Sequence, residues 1–143
     1  MTKWPRFGSC KTRLAKDIGK NNALRIQNKM LNHTLSVSNY LKKQEIAEIS
    51  IAITGIGLNS SKRWCKDIGI NNFYFQGKGC LGEKMKRLIN NSQRNSRNHM
   101  KKNIVFIGTD LPNLSHMDIV KTISKLEKKD VILGPSNDGG YWL

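Results

Sequence analysis

The sequence predicts a single α/β domain in which a mostly parallel sheet carries helices on both faces. Segments with helical apolar spacing alternate with short apolar runs that are typical of buried strands. Two of these runs, at 104–107 and 131–133, end in a glycine and lead to an acidic residue, Asp110 and Asp138 respectively. Open α/β sheets bind ligands beyond the carboxyl ends of their strands, so both acids are candidate site residues.

Helix caps, glycines and apolar spacing predict the individual elements of this domain, which occupies residues 1–143. Asn21 or Asn22 is expected to cap a long helix, and Ser60 or Ser61 a short one. In chain order, the predicted elements are helices at 11–19 and about 22–41, a strand at 49–54, a short helix around Trp64, a strand at 73–75, a helix at 83–93, a strand at 104–107, a helix at 115–128 and a strand at 131–133. This alternation is typical of right-handed βαβ crossovers, which build a three-layer, Rossmann-like fold.

A central strand is missing ahead of the first helix in this prediction. Phosphate-binding turns join a strand to a helix, so the loop that contains Gly8 should follow a strand. Only Thr2, Lys3 and Trp4 precede Pro5, and these residues are too few and too polar for a central strand. We therefore expect the fold to lack its first strand.

The bulk composition narrows the class of protein. No segment has the apolar length needed to span a bilayer, and the chain opens without a secretory pattern. The three cysteines lack metal-ligand spacing and are typical of a reducing compartment, so the protein is expected in the cytoplasm. The net charge of +15 is compatible with nucleic-acid binding, but the densest Lys and Arg cluster has no interleaved aromatic residue. A solvated basic surface on a protein with an anionic ligand is therefore favoured, and nucleic acid is not the expected partner.

The segment from Gly8 to Leu14 is a candidate phosphate-binding loop. Its glycine turn leads to Lys11 and Arg13 at a predicted helix start, where two cations and free backbone N–H groups can converge on a nucleotide diphosphate. It is not a Walker A loop, because Cys10 stands where that motif requires a glycine before the lysine. Basic residues at a helix end are more often simply solvated, so the segment alone is weak support for a site.

Asp110 is the stronger candidate. A carboxylate at a strand end can hold Mg²⁺ or Mn²⁺, which prefer oxygen ligands and often share them with substrate phosphates. Pro112 restricts Leu111 to extended conformations and so helps to fix this loop. The structural alternative is that Asp110 or Ser115 caps the helix that follows. We favour binding of a metal or a phosphate, because a second acid, Asp138, follows a similar run.

The second acid belongs to the run Asp138, Gly139, Gly140 and Tyr141. Paired glycines allow a ligand to approach the backbone closely, and the ring of Tyr141 can stack on a sugar or a base. The alternative is a turn into another strand, for which Asp-Gly is a common signal. The run is therefore a candidate segment for binding the donor or the acceptor of a transfer reaction.

Five motifs, in this order and spacing, resemble a known family. They are Lys3-Trp4-Pro5 with Gly8, KTRLA at 11–15, LGEKM at 81–85, GTDLP at 108–112 and GPSNDGGY at 134–141. The chain resembles bacterial glycosyltransferase-A-like proteins of the nucleotide-diphospho-sugar transferase superfamily, some of which are described as arsenosugar-biosynthesis glycosyltransferases. The resemblance implies the nucleotide-diphospho-sugar transferase fold, and relative to the family the chain is expected to lack the first strand and the C-terminal part.

The resemblance also implies roles for individual residues. Lys11 and Arg13 would contact the phosphates of a nucleotide sugar, and Asp110 would hold a divalent metal, Mg²⁺ or Mn²⁺. The run from Asp138 to Gly140 would shape the donor-sugar or acceptor side. The implied activity is metal-dependent transfer of a sugar from a nucleotide-diphosphate sugar to an acceptor that the sequence does not identify.

Three other functions stay open at this point. A nucleotidyltransferase uses the same fold and a metal but attacks the α-phosphate of a nucleotide. The other two are an inactive, truncated remnant of the enzyme family and a basic RNA-associating protein. The residue pattern assigns no catalytic base.

Overall fold

The computed structural model describes residues 1–94, 102–136 and 141. Its elements, in chain order, are β1 (Thr2–Lys3), α1 (Leu14–Lys43), β2 (Ser50–Thr54), α2 (Leu58–Asp67), β3 (Asn72–Phe75), α3 (Leu81–Arg94) and α4 (His116–Leu126). The three strands form one parallel sheet in the order β1-β2-β3. The predicted α/β class is therefore confirmed. Among the described helices, none is long and apolar enough to cross a membrane.

β2 lies at the centre of the sheet because both neighbouring strands pair with it. β3 pairs with residues 50–53 of β2 along its whole length. β1 pairs with the carboxyl end of β2, through Thr2↔Ile53 and Lys3↔Thr54. All pairs are parallel, so the carboxyl ends of the three strands lie at one edge of the sheet.

The sequence predicts no strand ahead of the Gly8 loop, and the structure has there only a two-residue strand, β1, at one end of the order β1-β2-β3. Thr2 is 3% exposed, and the Trp4 N–H donates to the Thr54 carbonyl at 2.9 Å, just beyond the strand. Strand pairing uses backbone groups, so polar side chains do not prevent it where a neighbouring strand offers its edge. β1 is short, however, and this shortness matters for the segment at 104–107.

Helices cover both faces of the sheet. Ile51 and Ile53 point to one face of β2, where they pack with Cys65 of α2. Ala52 points to the opposite face, because side chains alternate along a strand, and it lines a cavity together with Leu88 of α3. α2 and α3 therefore lie on opposite faces, as the three-layer prediction requires.

α1 consists of two helical stretches that meet at a kink, and the kink lies at Gly19, where the sequence predicts the end of the first helix. Gly19 has φ 81° and ψ 158°, outside the helical region, so the chain breaks where an end was expected. Asn21 and Asn22 lie inside α1, and the predicted cap is wrong; the Asn22 amide donates to the Ile18 carbonyl at 2.9 Å. The buried residues recur at helical spacing and include small and polar ones, namely Ala23, Gln27, Leu31, Thr34, Val37, Ser38 and Leu41.

α2 and α3 both begin earlier than predicted. Gly57 takes the N-cap position of α2, and Ser61 lies inside the helix with its hydroxyl donating to the Gly57 carbonyl at 2.9 Å. In α3, the Glu83 carboxylate accepts the Cys80 N–H at 2.7 Å and so supports a first turn that starts at Leu81. Glu83 therefore satisfies one of the N–H groups that have no intrahelical partner at the start of a helix.

α4 begins at a capping box. The Asp118 N–H donates to Ser115 Oγ at 3.3 Å, and the Ser115 N–H donates to the Asp118 carboxylate at 2.9 Å. These bonds decide the alternative that the sequence left open, because Ser115, and not Asp110, caps this helix. Hydrogen bonds from the side chain and backbone of Ser115 also hold the pKa of Asp118 below its usual value.

Two predicted strands are not strands in the structure. Residues 104–107 form no ladder, because the adjacent β1 is only two residues long and the Met1 ammonium already reaches the Ile107 carbonyl at 2.5 Å. Residues 131–133 form no ladder either, and their neighbour Pro135 makes an isolated antiparallel bridge with Tyr141. An apolar run becomes a strand only where another strand is available to pair with it.

We expect Ser115→Ala to lower the free energy of unfolding by about 1 kcal/mol, because loss of an N-cap side chain typically has this effect. Urea unfolding followed by circular dichroism measures the change. Ser124→Ala, at an exposed position in α4, is the matched control and should change stability by less than about 0.5 kcal/mol.

The effect of Ser115→Ala on stability should also depend on pH, because the pKa of Asp118 is lowered in the folded protein. The stability that the capping box contributes is present above the ordinary aspartate pKa and is lost as pH falls through the lowered pKa. A Ser115→Ala effect that is the same at pH 7 and in strong acid would contradict the capping box.

Candidate functional site

A cleft opens at the edge of the sheet where the carboxyl ends of the strands meet. Four residues at such ends line it: Lys3 ends β1, Thr54 ends β2, Gln76 follows β3, and Asp110 follows the segment at 104–107. The cleft has a volume of about 470 Å³. Parallel pairing makes these residues neighbours in space although they are far apart in the sequence.

Lys11 and Asp110 form an ion pair in this cleft. Lys11 Nζ lies 3.1 Å from Asp110 Oδ1. The Lys11 side chain is 14% exposed and the Asp110 side chain 65% exposed, so the ammonium is shielded while the carboxylate stays open to water. Lys11 has φ 46°, a left-handed conformation that costs a non-glycine residue about 1 kcal/mol. Strain of this kind is retained where the surroundings hold it, often at functional sites.

Short-range hydrogen bonds hold the loop that carries Lys11. Lys3 Nζ donates to the Ser9 carbonyl at 2.5 Å and so ties the loop to the end of β1. The Ser9 N–H and hydroxyl both donate to the Arg6 carbonyl at 3.1 Å. Gly8, with φ 70°, provides the turn between these contacts. The loop is therefore folded on itself before α1 begins.

Two contacts join the segment that carries Asp110 to β1. The Met1 ammonium donates to the Ile107 carbonyl at 2.5 Å. The Thr109 hydroxyl donates to the Thr2 hydroxyl at 3.2 Å. The position of Asp110 is thus set by contacts with the same short strand that leads into the Lys11 loop.

A buried amide joins the ends of three strands next to the cleft. Gln76 Nε2 donates to the carbonyls of Thr2 and Ala52, both at 2.9 Å, and the residue is 7% exposed. The Gln76 N–H donates to the Ile53 carbonyl at 3.0 Å, and the Arg87 guanidinium donates to the Gln76 carbonyl. Gln76 is not among the site residues that the sequence predicts. The available signal was a polar residue directly after the run 73–75.

The glycine-rich loop at 77–80 connects Gln76 to α3, and Leu81 and Met85 of α3 line the cleft. Gly77 has φ 72°, a left-handed conformation that other residues rarely adopt, so this position favours glycine. The Cys80 N–H, donating to the Glu83 carboxylate, lowers the pKa of Glu83. Glu83 is therefore engaged with the end of its own helix.

The structure brings three predicted site residues together, since Lys11, Asp110 and Tyr141 all line the cleft. Gly8 and Arg13 belong to the same loop as Lys11, but both are exposed and neither contributes to the lining.

Tyr141 is the described end of the second acidic motif. Its hydroxyl donates to Met85 Sδ at 3.8 Å, and the residue is 49% exposed. Asp138, Gly139 and Gly140 lie outside the described residues, so their role in binding a donor or an acceptor stays a prediction.

Fold and cleft together define an α/β protein with a site at the carboxyl edge of a parallel sheet. The model of a bacterial family, described as "Uncharacterized protein conserved in bacteria (DUF2064)", matches residues 37–143. The chain therefore belongs to the DUF2064 family. Comparison with the curated proteins gives no match.

A solved structure has the same fold. It is the crystal structure of a "putative nucleotide-diphospho-sugar transferase" from Desulfovibrio desulfuricans G20, with a TM-score of 0.84 and 24% sequence identity. The match covers 99% of this chain and 58% of the other, so the chain spans little more than half the length of that protein. The expected nucleotide-diphospho-sugar transferase fold is confirmed, whereas the glycosyltransferase-A-like and arsenosugar descriptions stay predictions.

We expect Gln76→Met to lower the free energy of unfolding by about 2 kcal/mol, because two carbonyls next to the cleft lose a buried donor. Urea unfolding measures this loss. Gln44→Met, at the exposed end of α1, is the matched control and should change stability by less than about 0.5 kcal/mol. Equal effects of the two substitutions would show that the amide does not hold the strand ends together.

Proposed function

We propose that the cleft binds the diphosphate of a nucleotide sugar and that the protein is a glycosyltransferase. The observation that carries this proposal is the Lys11–Asp110 pair, 3.1 Å apart at the carboxyl edge of a parallel sheet. An ammonium group suits phosphate oxygens, and a carboxylate suits a cation that accompanies them. One ligand with both features, a diphosphate with its divalent cation, matches the two side chains together.

The shared fold supports the same class of substrate. The name of the matched crystal structure refers to a "putative nucleotide-diphospho-sugar transferase", and that protein shares the fold over 99% of this chain. Ligands of open α/β sheets bind beyond the carboxyl ends of the strands, where Lys11 and Asp110 lie.

The charge around the cleft supports an anionic ligand. Lys3 and Lys11 line it, and Arg13 and Lys16 are exposed at the start of α1. The net charge of +15 adds a long-range attraction for nucleotides. The first backbone N–H groups of α1, which begins at Leu14, add a positive helix end near the same loop.

Asp110 fits a divalent cation when phosphate oxygens complete its coordination. In the described part of the chain, no group of three or more His, Cys, Asp and Glu side chains could hold a metal by itself. Mg²⁺ in phosphate sites is commonly held by one or two carboxylates together with substrate phosphates. Asp110 is exposed enough to join such a set. When bound, Mg²⁺ or Mn²⁺ would neutralise charge on the departing nucleoside diphosphate.

Lys11 would contact the phosphates directly. Its ammonium is shielded from water, and electrostatic interactions strengthen when solvent is excluded. Arg13 is exposed in the same loop and does not line the cleft. It would contact the ligand only if the loop moves or if part of the ligand lies outside the cleft. Tyr141 would offer a ring to the sugar or the base at the mouth of the cleft.

We expect Asp110→Asn to abolish most of the Mn²⁺-dependent stabilisation of the chain by nucleoside diphosphates. A ligand at 100 times its Kd adds about 2.7 kcal/mol of stability, which raises Tm by several degrees. Thermal unfolding with UDP, GDP or ADP, with and without MnCl₂, measures the effect. Asp130→Asn, an exposed carboxylate outside the cleft lining, is the matched control and should behave as wild type. Undiminished stabilisation of Asp110→Asn would show that the metal role of Asp110 is wrong.

Product analysis distinguishes a glycosyltransferase from a nucleotidyltransferase. We expect slow release of nucleoside diphosphate from UDP- or GDP-sugars with Mn²⁺, as water replaces the diphosphate at the anomeric carbon. Asp110→Asn should slow this release about tenfold or more, equivalent to about 1.4 kcal/mol of barrier. Release of pyrophosphate from a nucleoside triphosphate and a sugar phosphate would overturn the proposal in favour of nucleotidyl transfer. Nucleotide-independent RNA binding would instead favour the RNA-associating alternative.

A further inference from the structure

Gln27 of α1 differs from the other buried polar side chains in the described part of the chain. Each of the others makes at least one side-chain hydrogen bond; they are Thr2, Thr34, Ser38, Ser61, Gln76 and Thr122. Gln27 is 5% exposed, and its amide makes no hydrogen bond to a described residue. Burying an amide without a partner costs free energy, so its presence needs an explanation.

The buried face of α1 provides no partner for this amide. The residues four positions away on the same face are Ala23 and Leu31, which are 1% and 3% exposed and carry no polar side-chain atom. Further along, the hydroxyls of Thr34 and Ser38 donate to carbonyls one turn earlier in the helix, at 3.1 and 2.8 Å. The amide of the longer Gln27 side chain makes no such bond to its own helix.

The Gln27 amide opens into the cleft of the candidate site. Gln27 belongs to the cleft lining, together with Lys11 and Asp110. Every fully buried side-chain N or O atom of the described residues has a hydrogen-bond partner, so the unpartnered N and O of Gln27 are not fully buried. The small exposed part of this residue therefore includes its amide, and the space that the amide meets is the cleft.

A second uncharged group without a partner lines the same cleft. Thr54 ends β2, and its carbonyl accepts the Trp4 N–H, whereas its hydroxyl makes no hydrogen bond to a described residue. Lys11 and Asp110, by contrast, pair with each other. The cleft therefore offers a ligand two uncharged hydrogen-bonding groups in addition to its ion pair.

The chemistry of the amide limits which part of a ligand it can bind. Its NH₂ group donates hydrogen bonds, and its carbonyl oxygen accepts them. Phosphate oxygens only accept, so a phosphate would leave the Gln27 carbonyl without a donor. A group that has a donor next to an acceptor satisfies both halves of the amide. Sugar hydroxyls and the N–H and C=O edge of a base are groups of this kind.

We propose that Gln27 is a specificity-determining residue whose amide donates to, and accepts from, an uncharged group of the ligand: a sugar hydroxyl or the edge of a base. Thr54 adds a hydroxyl for the same uncharged part. This inference rests on the proposed function, in which Lys11 and Asp110 hold the diphosphate and its cation. Gln27 then selects the molecule attached to the diphosphate, because a ligand without the matching donor and acceptor leaves the amide unpaired.

The test uses Gln27→Met, which keeps the length of the side chain and removes both polar atoms. Calorimetric titration with MnCl₂ present measures the Kd of UDP-glucose, GDP-mannose, UDP and inorganic pyrophosphate. Binding of at least one sugar nucleotide should weaken about tenfold or more, because the ligand loses a hydrogen-bond partner in a nearly closed part of the cleft. Gln44→Met, exposed and outside the lining, is the matched control and should bind as wild type.

The probes identify the group that Gln27 contacts. Weaker binding of UDP and UDP-glucose, with pyrophosphate unaffected, would assign the contact to the nucleoside. Weaker binding of the sugar nucleotides alone would assign it to the transferred sugar. Unchanged Kd values for all probes would overturn the proposal, and so would an equal loss for pyrophosphate, which carries neither group.

The stability of the protein without ligand separates recognition from packing. Gln27→Met removes an amide that has no partner, so Tm should stay the same or rise. Gln76→Met makes the same substitution at an amide that bonds two carbonyls in the same lining, and it should lower Tm. A comparable fall in Tm for both variants would show that the Gln27 amide has a structural role, and this would overturn the proposal.

Asp110→Asn and one further probe, glucose 1-phosphate, distinguish failure of this inference from failure of the proposed function. If Asp110→Asn weakens sugar-nucleotide binding and Gln27→Met does not, only the role of Gln27 is wrong. If wild type binds glucose 1-phosphate but no nucleotide, and Gln27→Met weakens this binding, the proposed function is wrong and the role of Gln27 stands. If wild type binds none of the probes, both are wrong.

Discussion

β2 accepts a parallel partner on each side, and because of this pairing the carboxyl ends of β1, β2 and β3 lie at one edge of the sheet. Every residue of the candidate site depends on that edge. The Lys11 loop leaves from the end of β1, and Asp110 follows a segment held to β1 through Thr109 and Met1. A different pairing would move these groups apart without changing a single side chain.

The Gln76 amide strengthens the strand pairing at β1, which is the shortest strand of the sheet. β1 has only two residues, so few ladder bonds hold it to β2. The amide adds a donor to both strands from the end of β3, and Arg87 holds the Gln76 backbone from α3. Buried polar contacts are worth most where they are fully satisfied, and no described buried side-chain N or O lacks a hydrogen-bond partner. The cleft is therefore attached to a fixed frame although one of its strands is very short.

The sequence was sufficient to predict features that depend on a local pattern, such as Asp110 and Lys11 as candidate site residues. A strand-like run, a glycine and an acid are visible in one window, and a glycine turn before a basic helix start is visible in another. The pairing of these two residues follows once the strands are parallel. What could not be predicted depends on distant backbone. β1 has two polar residues and is a strand only because the edge of β2 is open to it, and the partners of Gln76 are carbonyls that carry no signal in the sequence.

The predicted helix starts and the predicted strand at 104–107 were wrong for a related reason. Several Asn and Ser residues near a helix start have equal intrinsic capping preference, and tertiary contacts choose among them. Gly57 caps α2 while Ser61 is drawn inside it, whereas Ser115 caps α4 because Asp118 completes the box. Residues 104–107 have the composition of a strand but lie beside β1, which has only two residues. The residue composition sets the tendency to form a strand, and the presence of a neighbouring strand decides whether the strand forms.

Under the proposed function, the unequal exposure of Lys11 and Asp110 implies an order of binding. A cation that arrives alone must displace Lys11 from Asp110, and this leaves a shielded ammonium without its partner beside a second positive charge. A diphosphate that arrives first can take Lys11, because the exposed Asp110 carboxylate is then simply hydrated. The released carboxylate and the new phosphate oxygens together form the kind of oxygen set that a divalent cation prefers. The ion pair therefore favours a nucleotide that binds before its metal, or together with it, over a metal that waits in the empty cleft.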